Sequence, residues 1–389
     1  MKITDIQVFP LGYIREKPTP FTRSFALVKV DTDAGVSGWG EASDMFGHWN
    51  PLVIKQIVDE ELKRHLIGKD PLLLERHVRH IQQWVYPTLG LSGPIIQALS
   101  GVEIALWDIR GKVKGEPIHQ MLGSYRDEIA IYAAGTIAFD QPANWHAEFF
   151  DQLLEQGCTT VKLRIGAGLH WDVNLVKEVR QIVGPDIDII VDGKYNYTLA
   201  SAIKLAHQLE EFDVLYLEEP IPQYNLDAVA MLATRTRLPL AYGEDTYTIH
   251  GFRDLITHKA ASVLQPDATL TGGLREAQKV AALAETWGLP VSPHCGGLTA
   301  VGIAANVHFS ATAPTFTVLE YDAASQQPLR DELLVDSLFS PDRVNNGCLT
   351  VPEGPGLGIE VNEAILEKYP YQQRGQIPDI PPSYATPHL

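Results

Sequence analysis

Apolar and polar residues alternate along "KITDIQVFPLGYI" and "FALVKVDTDAGVSGWGEA", the spacing of strands with one face in a core, and "DTDAG" supplies a turn between two of them. From about residue 51 to 123 apolar positions recur at helical spacing, including "SGVEIALWDIRGKVKG", where Gly115 makes a natural stop. Residues 1–125 therefore predict an α+β domain. After "MLGSYRD" the texture changes. Eight short apolar segments follow: "EIAIYAAGT", "TTVKLRI", "IDIIVDGK", "DVLYLEEP", "LPLAYGED", "ASVLQPDA", "LPVSPHCG" and "FTVLEYD". Amphipathic stretches such as "DVNLVKEVRQIVG" and "LREAQKVAALAETWG" lie between them. Strand–helix repetition implies a parallel sheet, and eight units close into a barrel. An open doubly wound sheet usually has fewer strands and a Gly-rich first turn, which the sequence lacks; "GPGLG" near residue 354 joins no strand to a helix. The expected fold class is α/β, a TIM-like barrel over residues 126–335 with the α+β domain as a cap. Residues 336–389 form a C-terminal segment whose "NNGCLTVPEGPGLGIEV" can make a hairpin packed on the cap, while the proline-rich last dozen residues predict a loose arm.

Length and charge narrow the classes. The 389 residues suit two domains, and a formal charge of −17 excludes the basic patches that nucleic acid or anionic membrane would require. The three cysteines, Cys158, Cys295 and Cys348, have no paired spacing, which fits a reducing cytoplasm. No apolar run is long enough for a membrane span, and the N-terminus has no signal-peptide pattern, so a cytoplasmic protein is expected.

The chemistry gathers at the strand ends. Barrel active sites form at the C-terminal ends of the strands, and Asp192, Glu218 and Glu244 end the third, fourth and fifth, 26 residues apart each time. Three acidic oxygen ligands on neighbouring strands suit a hard cation, Mg²⁺ first and Mn²⁺ second. Asp267, His294 and Glu320 end the last three strands; an Asp beside a His fixes the imidazole tautomer and makes a general acid/base. "VKLRIG" presents Lys162 and Arg164 on one face of the second strand, where they can hold an anionic substrate or move a proton. In "IIVDGKYNYT", Lys194 shares the face of Asp192, as a surface ion pair or as a second working part of the site. Alternation turns Cys295 away from His294 and toward the core. A divalent cation with lysine or arginine can stabilise the dianion formed when a carboxylate loses its α-proton, so proton abstraction α to a carboxylate is the expected reaction class.

The motifs "VSGWGEA", "LSGVEIALWDIRGK", "VKLR", "VDG", "LEEP", "GED", "QPD", "PH" and "LEYD" resemble those of the enolase superfamily, in its mandelate racemase-like subgroup, over nearly the whole chain. The resemblance implies a capping α+β domain over a (β/α)7β barrel, with Asp192, Glu218 and Glu244 holding Mg²⁺ and Asp267–His294 as a catalytic dyad. It implies that Glu320 hydrogen-bonds the enolate. Alternation puts Glu219 and Asp245 on the opposite strand face from these ligands, as structural residues. Loops of the cap close such sites, which makes Arg15, Lys17, Arg23, His48 and Trp49 candidate substrate contacts, with Asp322 of "LEYD" a further one from the last strand. Relatives of this kind are commonly homo-oligomers, dimers or octamers, acting on small carboxylates. Two positions depart from the subgroup's pattern. Arg164 replaces a lysine base, and arginine effectively never deprotonates; Lys194 stands where relatives place an asparagine. A racemase needs bases on both faces of the α-carbon, so the expectation is dehydration of an acid sugar to a 2-keto-3-deoxy acid. An isomerase, such as a sugar-acid lactone cycloisomerase or an epimerase, is the alternative.

Overall fold

The computed structural model describes residues 1–15, 21–43, 51–135, 139–325 and 327–372, with only the backbone of Phe21. Strand β1 (Ile3–Arg15) pairs antiparallel with β2 (Phe21–Thr32), and β2 pairs with β3 (Ser37–Ala42). The alternation read in the sequence holds in the middle of the sheet, where Ile6 and Val8 on β1 are buried with Val28 and Val30 on β2; Leu11, out of phase with them, is buried as well. The helix Pro94–Lys114 lies across β3 and ends at Gly115 in the left-handed region, φ +72°. Glycines make that crossing close: a Cβ on Gly40 would sit 2.0 Å from the Gly101 carbonyl oxygen, and one on Gly38 2.1 Å from that of Ala105.

The second layer is a parallel sheet of β4 (Glu128–Ala134), β5 (Thr160–Arg164), β6 (Asp188–Asp192), β7 (Val214–Glu218), β8 (Leu240–Tyr242), β9 (Val263–Leu264) and β10 (Leu319–Asp322). β10 returns beside β4, and bridges Leu264↔Val291 and Val291↔Phe316 join β9 to the approach of β10. The result is the (β/α)7β barrel with an N-terminal cap. Of the eight expected strands, the seventh is reduced to the single bridge residue Val291. Pro290 and Pro293 flank it, and proline donates nothing to a ladder. The barrel interior is filled by Tyr132, Ala134, Ile190, Tyr216, Ala241, Val263 and Val318.

The hairpin of the C-terminal segment is a single tight antiparallel turn, Asn345 paired with Cys348 across Asn346 and Gly347. Its strand β11 (Cys348–Thr350) adds antiparallel to β4, and the chain then crosses to the cap, where Leu357 N–H donates to Asp108 Oδ1 (2.9 Å) and Tyr371 N–H to the Pro10 carbonyl (3.0 Å). The expected terminal arm, residues 373–389, lies outside the described residues. Among the described residues, no helix is long and apolar enough to cross a membrane.

A buried histidine at this junction gives a pH prediction. His308, on the helix Ala300–Thr312, accepts from His119 N–H at its Nδ1 (3.2 Å), and its Nε2 faces the Leu357 carbonyl (3.0 Å). Burial pushes its pKa down to about 3, against the bond to Leu357, so the ring stays neutral in the fold. A folded pKa below the unfolded one gives stability present above about pH 6.5 and lost as pH falls toward the folded value. By pH 4 this one site should remove about 3 kcal/mol. Urea melts between pH 7 and 4 check this, and His308→Gln should flatten that slope.

Candidate active site

The barrel strands from β5 to β10 carry buried or partly buried polar side chains at or close to their C-terminal ends, Arg164, Asp192, Glu218, Glu244, Gln265 and Glu320 among them. On β6 the inward positions are Ile190 and then Asp192; on β7 they are Tyr216 and then Glu218. Glu244 follows β8 by two residues, past Gly243 at φ +141°, a conformation for which a side chain is ill suited. A Cβ on Gly243 would also stand 2.8 Å from the Gln265 amide nitrogen.

Each of the three carboxylates has its own cation. Arg164 donates from Nε to Asp192 Oδ2 (3.0 Å), Lys162 from Nζ to Glu218 Oε1 (2.9 Å), and Lys194 from Nζ to Glu244 Oε1 (2.6 Å). Lys162 also reaches Glu320 Oε1 (2.8 Å) and Asp192 Oδ2 (3.5 Å). Burial lowers the Lys162 pKa, but Glu218, Glu320 and Asp192 outweigh it and hold the ammonium well above the usual lysine range. Lys194 meets the same opposition between burial and its neighbours Glu244, Asp245 and Glu219, and is likewise raised. The Lys194 side chain thus pairs with Glu244 and not with Asp192, which instead accepts from the Lys194 backbone N–H at Oδ1 (2.9 Å).

His294 faces Asp267 through Nδ1 (2.8 Å to Oδ2), while its buried Nε2 has no hydrogen-bond partner. Asp267 is itself fixed: its Oδ1 accepts from Thr269 N–H (2.8 Å), Thr269 Oγ1 (2.7 Å) and Asn306 Nδ2 (2.9 Å). A carboxylate so held orients the imidazole with its proton on Nδ1, leaving Nε2 for proton transfer. Burial lowers the His294 pKa, but the carboxylates of Glu320, Glu244 and Asp267 together raise it to about 9. Glu320 stands 3.5 Å from His294 Nε2 and accepts from Cys295 N–H (3.3 Å). Burial raises its carboxyl, Lys162 and His294 lower it, and the net is below the ordinary value. Gly296 keeps space in front of the imidazole: a Cβ there would stand 2.9 Å from His294 Nε2 and 3.1 Å from Glu320 Oε2. Cys295 is buried, and burial pushes its thiol well above the usual range, so it is no nucleophile.

The cap grips this rim. Arg15 and Arg23 both donate to Asp322 Oδ2 (3.3 Å each), and Arg23 also donates to the Gly297 carbonyl (3.3 Å). Glu41, at the end of β3, accepts from Thr299 Oγ1 (2.6 Å), Thr299 N–H (3.2 Å) and Gly302 N–H (2.8 Å). Three other candidates from the cap, Lys17, His48 and Trp49, lie outside the described residues.

One expectation is corrected. Glu219 and Asp245 do not lie on the face away from the ligands: one oxygen from each lies within 4.8 Å of one from Glu244. Alternation holds only along the strands, and β7 ends at Glu218 and β8 at Tyr242. Glu219 then takes a left-handed turn, φ +41°, and Gly243 another. Sequence reasoning also missed Gln265, whose Nε2 donates to Glu218 Oε2 (2.8 Å), and Asn306 behind Asp267. Gln265 carried a signal, since it sits two residues before Asp267 in "QPD"; Asn306, in mid-helix, carried none.

The donors of Asp192, Glu218 and Glu244 are all oxygens from successive strand ends, the chemistry a hard divalent cation takes, and Glu244 Oε2 is buried without a hydrogen-bond partner. Among the described residues, the three carboxylates with oxygens all within 4.8 Å of one another are those of Glu219, Glu244 and Asp245.

Comparison with known proteins agrees with the fold. Residues 17–123 match the mandelate racemase / muconate lactonizing enzyme N-terminal domain, and residues 145–365 the enolase C-terminal domain-like family. The chain belongs to the enolase superfamily, in the mandelate racemase / muconate lactonizing enzyme family. It is 32% identical to a D-galactarolactone cycloisomerase of Agrobacterium fabrum, over 95% of this chain and 99% of that one. It is 31% identical to a D-xylonate dehydratase of Haloferax volcanii, over 88% and 84%. The crystal structure of the 3,6-anhydro-D-galactonate cycloisomerase from Zobellia galactanivorans superposes with a TM-score of 0.85 at 30% identity, covering 96% of this chain and 100% of that one. The chain is thus an enzyme of this superfamily, with sugar-acid dehydratases and cycloisomerases among its relatives.

Proposed function

We propose that the protein removes the α-proton of a sugar acid and expels the β-hydroxyl, giving a 2-keto-3-deoxy acid. Asp192, Glu218 and Glu244 are the candidate ligands of Mg²⁺, or of Mn²⁺ in its place. When bound there, the cation supplies positive charge to the substrate carboxylate as its α-proton leaves. Lys162 adds a fixed ammonium beside that charge. His294 takes the proton at Nε2 in the neutral form of its ring, a form that a cation held by Glu244 would favour against the carboxylates that raise its pKa, with Asp267 holding the ring. The same nitrogen returns a proton to the departing hydroxyl on the same face, so protons balance and water leaves. An ionised Glu320 only accepts hydrogen bonds, so the donor toward an enolate oxygen is Lys162, and Glu320 holds Lys162 and faces His294.

The observation that carries this reading is the pairing of the cations. Lys162 is bound by three carboxylates and Arg164 by Asp192, so the second strand offers no base opposite His294. A one-histidine elimination fits that arrangement better than a two-base racemisation. Cycloisomerisation of a sugar-acid lactone is the second reading, favoured by the similarity to the Agrobacterium fabrum enzyme over almost the whole length of both chains. The experiment is a panel of mono- and diacid sugars and their lactones, assayed with Mg²⁺. A semicarbazide-reactive 2-keto product is expected. Exchange or loss of the α-proton in NMR without loss of water would replace dehydration by the isomerase reading. No turnover or α-proton exchange across the panel would overturn both.

A further inference from the structure

Beside the candidate metal centre, and sharing Glu244 with it, lies the second carboxylate group of Glu219, Glu244 and Asp245. Glu219 is fully buried, and neither of its carboxylate oxygens has a hydrogen-bond partner; Glu244 Oε2 and Asp245 Oδ1 have none either. Carboxylates this close and this dry need a cation, or must give up their charge. A cation is already present. The ammonium of Lys194 sits 2.6 Å from Glu244 Oε1, and the charges of Asp245 and Glu219 act on it as well. The backbone turns sharply to deliver these groups: Lys194, Tyr195 and Glu219 have φ of +42°, +61° and +41°, none of them glycine. Tyr195 closes the far side, its hydroxyl donating to Asp245 Oδ2 and its ring lying 4.9 Å from the Lys194 ammonium.

We propose that Lys194 is a tethered cation that fills the Glu219–Glu244–Asp245 pocket, so that the centre takes one divalent ion where its carboxylates would otherwise hold two. The inference rests on the reading of Glu244 as a metal ligand, because the two places share that side chain. A lysine here fixes the ion count without a second metal. It also accounts for an ammonium at a position where an amide would leave the pocket anionic.

The test counts ions. Mn²⁺ is titrated into the full chain, with free ion followed by electron paramagnetic resonance, for the wild type, Lys194→Met, Lys194→Asn and Lys194→Met/Glu219→Gln. Either single substitution should bind one more Mn²⁺ per chain than the wild type. The signal of the loaded variant should broaden, since ions sharing a carboxylate lie about 4 Å apart. The double variant should return to the wild-type count, and Lys194→Arg, which keeps the charge, should not depart from it. An unchanged count in both Lys194→Met and Lys194→Asn overturns the proposal. A wild type that binds no ion would instead overturn the Asp192–Glu218–Glu244 reading, and a gain of one ion in the lysine variants would still support the role of Lys194.

Discussion

His294→Asn should abolish turnover, with a loss of at least about 10³-fold, while Mn²⁺ binding stays at the wild-type level. Among the described residues, the imidazole is the group at the mouth whose geometry fits proton transfer: Nδ1 is committed to Asp267, and Nε2 is buried, without a hydrogen-bond partner and faced by the space that Gly296 leaves open. Asparagine can keep a hydrogen bond to Asp267 but cannot exchange a proton. Substrate affinity should change little, so the fall appears in kcat, and exchange of the substrate α-proton in D₂O should stop with it. Activity retained within ten-fold would remove His294 from the mechanism. Loss of metal binding in the same variant would mean that the side chain shapes the carboxylate centre.

Lys162→Met should cost both activity and fold stability, by about 3–5 kcal/mol for the latter. Lys162 is 1% exposed and its ammonium joins Glu218, Glu320 and Asp192, so its removal leaves the buried carboxylates of Glu218 and Glu320 without their cation, while Asp192 keeps Arg164. Replacing one member of a buried ion network is far more damaging than never having built it, because the remaining charges stay desolvated. Urea unfolding would measure the loss. Mg²⁺ should recover more stability in the variant than in the wild type, since the added cation stands in for the missing ammonium. Equal recovery in the two proteins would separate Lys162 from the candidate metal centre.

Much of this site was legible in the sequence because strand alternation and the 26-residue repeat are geometric rules. They put Asp192, Glu218 and Glu244 on successive strand ends and Asp267 beside His294. The rules fail where strands stop. Glu219 and Asp245 were read by alternation, but left-handed turns at Glu219 and Gly243 carry both toward Glu244. Partner choice was also hidden. Lys194 reads as the companion of Asp192 two residues away, yet the turn at Lys194 and Tyr195 sends its ammonium to Glu244 on another strand. Similarly, "LPVSPHCG" has the texture of a strand, and only its two prolines hint that Val291 alone joins the ladder.

That short seventh strand has a consequence for how the molecule comes apart. Four backbone hydrogen bonds around Val291, to Leu264, Thr315 and Thr317, hold it from the sheet, and the loop bearing His294 is held from above as well, by Arg23 at Gly297 and Glu41 at Thr299 and Gly302. The cap is therefore part of the scaffold that holds His294 and not only a cover over the barrel mouth. Local opening of the cap should release the Gly302 amide to hydrogen exchange together with the catalytic loop, as one cooperative unit, while the β5–β7 wall stays protected.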